Sequence, residues 1–237
     1  MLESGVESGC CIELQCDAAD TGATHAQRQL ELSDSSLLSQ LQPPAAQSGT
    51  WIPEAMHPRI SNMVATVKLS CSLPLQALSD RMSNTEYNPR RFSALIARTK
   101  SPKTTALINA SGKLIILGAR SSQELDQAVR AHVRAIRKAA YPACKIERMT
   151  VHNMVASCNI NAPLRLEALC LGLGGSGGGA ELDAEIFPGL IFRLRDPGVT
   201  MLIFVNGKIV ITGAASQAVI MAAFEKMFPV LLLYKRD

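Results

Sequence analysis

Two asparagines in matching phrases, Asn62-Met-Val-Ala-Thr66 and Asn153-Met-Val-Ala-Ser157, are the residues of this sequence best suited to recognition chemistry. Each stands inside a β-branched, apolar run, an uncommon place for an amide. Strand alternation puts Asn62, Val64 and Thr66 on one side, with Asn153, Val155 and Ser157 as their counterparts, and groups Leu202, Phe204 and Asn206 on one side of a later strand. A sheet face of valines, leucines and phenylalanines around paired amides is a contact surface. The minor groove of double-stranded DNA suits it, because that groove offers acceptors to amide donors with apolar floor between them. Arg91, Arg98, Lys113, Arg193 and Lys208 fall at the rim of such a face, where phosphates would lie.

Bond-making chemistry has less to stand on. No Ser/His/Asp or Cys/His set recurs at motif spacing, the carboxylates do not pair, and the four histidines lack ligand spacing, so neither an enzyme, a metal site nor a cofactor is expected. Gly172-Leu-Gly174-Gly-Ser-Gly177 matches the dinucleotide fingerprint in form only. That fingerprint needs a strand before it and a helix after it. Here Pro163–Cys170 reads as a short helix and Phe187-Pro-Gly interrupts the segment after the glycines, so a surface loop is expected. The seven cysteines include no Cys-x-x-Cys pair and fit reduced thiols, with Cys71, Cys158 and Cys170 as small buried hydrophobes.

The elements that must position the asparagines occur twice. Leu107-Ile-Asn-Ala-Ser-Gly-Lys-Leu-Ile-Ile-Leu-Gly-Ala119 and Leu202-Ile-Phe-Val-Asn-Gly-Lys-Ile-Val-Ile-Thr-Gly-Ala214 are copies of one hairpin, turned at Gly112 or Gly207. The offset between copies is 91 residues at Asn62/Asn153 and 95 at Phe92/Phe187, so the second copy gains four residues in the interval that holds the Gly-rich stretch. Each copy reads as a strand (60–70; 151–160), a short helix (75–82; 163–171), three strands (92–97, 104–108, 114–117; 186–193, 200–205, 208–212) and a long helix. The first long helix opens at the capping box Ser121-Ser-Gln-Glu124 and buries Leu125, Ala128, Val129, His132, Val133 and Ile136; the second spans 216–227. Successive hairpins give an antiparallel sheet of about ten strands with helices on one face, an α+β arrangement.

Charge divides unevenly. Residues 1–55 hold one Arg against eight carboxylates, whereas 56–148 hold 16 basic and 5 acidic residues and 149–237 hold seven of each. All the excess basicity is in the first copy, and Arg130, Arg134, Arg137 and Lys138 share one face of its long helix. Such a half suits a polyanion or an acidic protein. Residues 1–57 read as a disordered acidic arm with a short helix at 30–41, followed by repeats at 58–148 and 149–237. No apolar run approaches the roughly 18 residues of a membrane helix, and the N-terminus lacks a secretory pattern.

The phrases Glu86-Tyr-Asn-Pro-Arg-Arg-Phe92, Thr104-Thr-Ala-Leu-Ile108, Ser111-Gly-Lys113, Asn153-Met-Val155, Ile186-Phe-Pro-Gly-Leu-Ile191 and Leu202-Ile-Phe-Val205 resemble the core of the TATA-box-binding protein (TBP) family. The resemblance covers about residues 58–235 and suggests a divergent member or TBP-related factor. It implies a saddle-shaped sheet with helices on its convex face, and a nuclear general transcription-initiation factor that binds TATA-like promoter DNA in the minor groove and bends it. The family is itself a standard example of a minor-groove binder that kinks DNA with apolar wedges, so the bending mechanism is implied by the resemblance. Carried over, the groove-lining set is Asn62, Val64, Asn153, Val155, Leu107, Leu202, Ile115, Val210 and Thr212, and Phe92, Phe187 and Phe204 match three of four wedges. Asn109 holds the fourth wedge position and Leu117 the position matching Thr212. Pro188 and Leu190, from the phrase Ile186–Ile191, and Leu95, from the matching repeat phrase Phe92-Ser-Ala-Leu95, complete the expected contact set. The resemblance also implies TFIIB-like partners near Glu185, TFIIA-like factors and TBP-associated factors as further partners, and acidic regulators on the basic helix. Two alternatives stay open: a scaffold of this fold with little TATA preference that acts through protein contacts, and pairing of the free chain with a second copy.

Overall fold

Burial alternates along almost every strand, and this alternation sorts the sheet into a covered and an open face. The computed structural model describes residues 51–139, 141–174 and 179–236. The first repeat runs β1 (Arg59–Leu69), α1 (Leu75–Arg81), β2 (Thr85–Asn88), β3 (Phe92–Lys100), β4 (Lys103–Ile108), β5 (Lys113–Ala119) and α2 (Ser122–Ala139). The second runs β6 (Ile146–Asn159), α3 (Leu166–Gly174), β7 (Gly179–Glu181), β8 (Leu190–Leu194), β9 (Val199–Ile203), β10 (Lys208–Ala214) and α4 (Gln217–Leu233). All ten strands form one antiparallel sheet in the order β2-β3-β4-β5-β1-β6-β10-β9-β8-β7, so the expected α+β class is observed. The two long strands β1 and β6 pair at its centre, from Arg59 opposite Ser157 to Leu69 opposite Ile146.

In β1 the buried residues are Met63, Ala65, Val67 and Leu69, each separated from the next by a partly open one. They share a core with Leu125, Ala128, Val129 and Ile136 of α2, and with Ile220, Ala223 and Phe224 of α4. The helices therefore cover one face, where burying each large aliphatic side chain contributes on the order of 2 kcal/mol. The other face carries Asn62, Val64, Thr66 and Lys68.

Both hairpin turns close identically. Gly112 N–H donates to Asn109 O at 3.0 Å and Gly207 N–H to Phe204 O at 2.9 Å, with both glycines at φ +79°. A methyl group at either would also collide with backbone, the carbonyl oxygen of Cys71 or of Ala162. Only glycine satisfies both demands.

Several expectations shift. Sequence reading starts the central strand of the second repeat at 151, but β6 begins at Ile146, because residues 146–151 pair with the far half of β1; the expected repeat boundary after 148 thus falls inside a strand. The short edge strands β2 and β7 lack alternating apolar residues and escape periodicity. Residues 186–189 precede β8 instead of belonging to it. Helix α4 passes Pro229 and ends at Leu233, since Phe228 and Leu231 bury its last turns. In α2, Ser121 Oγ accepts from Glu124 N–H at 3.1 Å as a capping box requires, whereas the Glu124 carboxylate accepts from Arg120 N–H at 2.9 Å. His132 is fully buried among the apolar residues of that helix.

The expected arm also ends earlier than 57: Ile52 is 9% exposed and joins the core, and Glu54–Met56 form a single 3-10 turn. Gly172 and Gly174 lie in α3, where a methyl at Gly172 would strike the Tyr234 hydroxyl. The expected helix at 30–41 and Gly177 lie outside the described residues. No helix among the described residues is long and apolar enough to cross a membrane.

Candidate nucleic-acid interface

Strand pairing carries side chains of the open face into rows that run across the sheet, since directly opposed residues project to the same side. One first-repeat row reads Thr150, Thr66, Ile115, Leu107, Ile96 and Glu86. Its second-repeat counterpart reads Arg59, Ser157, Val210, Leu202, Ile191 and Glu181. Each row thus has a polar start at the sheet centre, three aliphatic residues and a carboxylate at the edge.

The neighbouring rows hold the asparagines. Asn153, Val64, Leu117, Thr105 and Arg98 follow one another across the first repeat. In the second repeat Asn62 lies opposite Val155, and beyond a register shift between β6 and β10 Thr212, Thr200 and Arg193 follow one another. The two amides are held alike: Asn62 Oδ1 accepts from Gly118 N–H and Asn153 Oδ1 from Gly213 N–H, each at 2.8 Å. A backbone N–H can only donate, so the oxygen of each amide is identified and Nδ2 is left as its donor. The repeats part company at the next residue. Asn153 Nδ2 reaches Thr212 Oγ1 at 3.4 Å, whereas Leu117 at the matching place has no polar atom to offer Asn62.

Asn109 and Phe204 occupy the same turn position, each N–H donating at 2.9 Å to the carbonyl of Lys113 or Lys208. At the second-repeat end Phe187 and Phe204 stack at a 5.7 Å centroid distance, tilted by 57°. A methyl at Gly189 would crowd both rings, at 3.0 Å from Phe187 and 3.2 Å from Phe204. At the first-repeat end Phe92 is 45% exposed, and among the described residues no aromatic pair includes it. Pro188 is exposed next to Phe187.

Two expected residues are elsewhere. Leu95 and Leu190 are both 0% exposed, paired with the buried Ile108 and Ile203, and face the helices. The open-face residues of those strands are Ile96 and Ile191, one position on. Leu95 and Leu190 lie three residues from Phe92 and Phe187, an odd step that strand alternation assigns to the opposite face, whereas Ile96 and Ile191 lie four residues away.

Cations surround the face unevenly. Lys113, Lys68 and Arg148 stand in one row and, with Thr66, Ser111, Thr150 and His152, line a recess of about 470 Å³. By the 91- and 95-residue offsets, Asn159 and Lys208 are the counterparts of Lys68 and Lys113. Sequence reasoning missed Lys68, whose strand parity with Thr66 was available, and Arg148, which precedes the strand expected from 151. Arg98 and Arg193 pair with Glu86 and Glu181 on the edge strands, both at 3.2 Å. These exposed pairs contribute little to stability, but they offset part of the rim's positive charge. Arg91 is exposed in the turn before β3.

Titration has little place here. Among the described residues there is no cluster able to hold a metal ion. Cys158 and Cys144 are pushed up to about 12, by burial above all and for Cys144 also by the Cys71 thiol, whose Sγ lies 2.8 Å away. Cys71, Cys158 and Cys170 are half-buried, less enclosed than expected. What the open face can do is bind: it presents fixed amide donors at its centre, aliphatic rows beside them, phenylalanines at one end, and cations at the rim.

On the covered side, Arg130, Arg134, Arg137 and Lys138 of α2 are exposed, and the three arginines with Val133 and Ile146 line a recess of about 190 Å³. Arg137 Nε also donates to Cys144 O at 2.8 Å. Glu185 is exposed beside Asp183, whose Oδ1 accepts its N–H at 3.0 Å.

Comparison with known proteins agrees with this geometry. The family model described as "Transcription factor TFIID (or TATA-binding protein, TBP)" matches residues 57–139 and 148–234, one segment per repeat. TATA-box-binding protein 1 of Triticum aestivum is 42% identical over 185 residues, 78% of this chain and 78% of its own length. TATA-box-binding protein of Saccharomyces cerevisiae is 41% identical over 193 residues, covering 81% and 79%. The solved structure of Methanococcus jannaschii TBP superposes with a TM-score of 0.64 at 30% identity, covering 75% of this chain and 99% of that one. Two repeats in one ten-stranded sheet, the paired asparagines and these matches lead to one conclusion: the chain belongs to the TATA-binding protein family.

Proposed function

We propose that this chain is a general transcription-initiation factor that lays its open sheet face into the minor groove of TATA-like promoter DNA, bends it and presents its helices to other initiation factors. The observation that carries this reading is the pair of open-face amides amid aliphatic rows, each with its Oδ1 held by a backbone N–H so that Nδ2 is left as the donor. Across A·T pairs the minor groove displays only acceptors, which such donors match. The aliphatic rows suit a widened groove floor, and Phe187, Phe204 and Phe92 stand where wedges between base steps would enter. Rim cations such as Lys113, Lys208, Arg98 and Arg193 supply phosphate contacts and hence salt dependence. The function is non-catalytic and nuclear.

The partner surfaces belong to the same proposal. Arg130, Arg134, Arg137 and Lys138 suit acidic regulators or TFIIA-like factors and TBP-associated factors, and exposed Glu185 with Ile186 suits a TFIIB-like partner. Charge reversal at Arg134 and Arg137 should abolish capture of an acidic partner and leave the DNA footprint intact; a lost footprint with the fold retained would refute that division of faces.

Asn109 and Leu117 favour a second reading, a scaffold of this fold with weak sequence preference. A mobility-shift titration of the full chain on TATA and scrambled duplexes at two salt concentrations separates them. Tenfold or greater preference for TATA at both salts supports the first reading, and a preference near one supports the scaffold.

A further inference from the structure

The two halves of the open face are not equivalent at their centre, and the difference lies at one residue. Asn62 and Asn153 are fixed by the same 2.8 Å bond, but beyond them stand Leu117 in the first repeat and Thr212 in the second. Thr212 Oγ1 takes an Asn153 Nδ2 proton at 3.4 Å and keeps a second lone pair and its own proton for a ligand. Leu117 lies between Val64 and Thr105 on its neighbouring strands and closes that place with hydrocarbon. Among the described residues no protein acceptor meets Asn62 Nδ2.

Resting on the minor-groove reading above, we infer that Leu117 is a specificity-determining residue: the half-site under the first repeat excludes guanine, whereas the half-site under Thr212 tolerates it. In the minor groove a G·C pair differs from A·T by one group, the guanine N2 amino donor. Facing Thr212, that amino group finds a hydroxyl oxygen able to accept. Facing Leu117, it is stripped of water and left without a partner, and a buried unsatisfied donor is costly. At A·T pairs neither residue creates such a defect. The chain therefore reads the two halves unequally, and a single G·C pair sets which way round it binds.

Orientation itself supplies the test. A palindromic all-A·T site is compared with versions carrying G·C at the matching central position of one half or of both, using the full chain, Leu117→Thr and Thr212→Leu. With one G·C the wild-type chain turns so that this pair lies under Thr212, and affinity falls less than about fivefold. With two, one must lie under Leu117, and the further loss should be roughly tenfold or more, the size set by one unsatisfied donor. Leu117→Thr should equalise the two losses. Thr212→Leu should make the first G·C as harmful as the second. Replacing the second G·C by inosine·C, which lacks the amino group, should restore wild-type binding. Both side chains are on the open face, and unchanged urea midpoints will show that the variants fold. Equal successive losses in the wild-type chain, or no change in Leu117→Thr, overturn the inference while leaving minor-groove binding intact. Failure to bind even the all-A·T site overturns the functional reading, and this inference with it.

Discussion

Replacing Asn109 by Phe should lengthen the life of the TATA complex and increase the bend at the first-repeat end. Asn109 sits in a turn closed like that of Phe204, with the same 2.9 Å bond to the residue after the glycine, so the variant needs no backbone change. The second repeat shows what a filled position looks like: Phe187 and Phe204 at a 5.7 Å centroid distance. In the first, Phe92 is 45% exposed and belongs to no aromatic pair among the described residues. An aromatic ring stacked on a base contributes roughly 1–3 kcal/mol, and an aromatic pair adds about 1 kcal/mol in both free and bound protein. Only the first contribution changes affinity. The expected gain is therefore about fivefold to a hundredfold, expressed mainly in dissociation because a wedge acts after encounter. Phe204→Asn is the mirror experiment and should lose a similar factor without unfolding, since its ring projects from a turn. Bend angle by end-to-end energy transfer and dissociation rate by competitor chase are measured together. If Asn109→Phe alters neither, the turn of the first repeat does not reach the base steps and the wedge assignment is wrong.

Two further outcomes test the two faces. His132 is buried and held down to about 4 by burial, below its ordinary 6.5. Between those values the unfolded chain binds a proton that the native chain refuses, so stability is complete above about pH 6.5 and falls as pH drops toward 4. From pH 7.5 to 5 the loss from this group should be about 2 kcal/mol by urea unfolding, and His132→Gln should flatten the profile; an unchanged slope contradicts the burial argument. Leu95→Ala should cost roughly 2–5 kcal/mol of stability and leave the DNA affinity of the folded chain unchanged, while Ile96→Ala should do the reverse, weakening binding with a smaller stability loss. Equal effects of the two on binding would mean that β3 presents the other parity.

Periodicity and the duplicated phrases make the sheet, its helices and most of its open face readable in sequence. Asn62, Val64 and Thr66 lie in an unbroken alternation, and the structure sets them on the open face with Ile115 and Leu117 beside them. The misplacement of Leu95 is not a failure of parity: three residues on from Phe92, strict alternation already assigns it to the covered face, and the repeated phrase it belongs to carries no information about faces. The edge strands β2 and β7 are legible only through pairing, because Thr85–Asn88 and Gly179–Glu181 carry too few apolar residues to declare a strand. Lys68 and Arg148 come together by the antiparallel register of β1 and β6, a contact between residues far apart in the chain that no local pattern announces. The inequality of Leu117 and Thr212 is visible as a mismatch between repeats, but its meaning needs the hydrogen bonds that fix Asn62 and Asn153.

The central claim, that the open face reads the minor groove, is tested most directly by replacing every A·T pair of a TATA duplex with inosine·C. That change converts the major-groove pattern to one like G·C while keeping the minor-groove acceptors and leaving out the guanine amino group. The full chain should bind the TATA and inosine·C duplexes within a few-fold of each other and the corresponding G·C duplex at least tenfold more weakly. Binding that falls to the G·C level on the inosine·C duplex would contradict the account, because recognition would then follow the major groove.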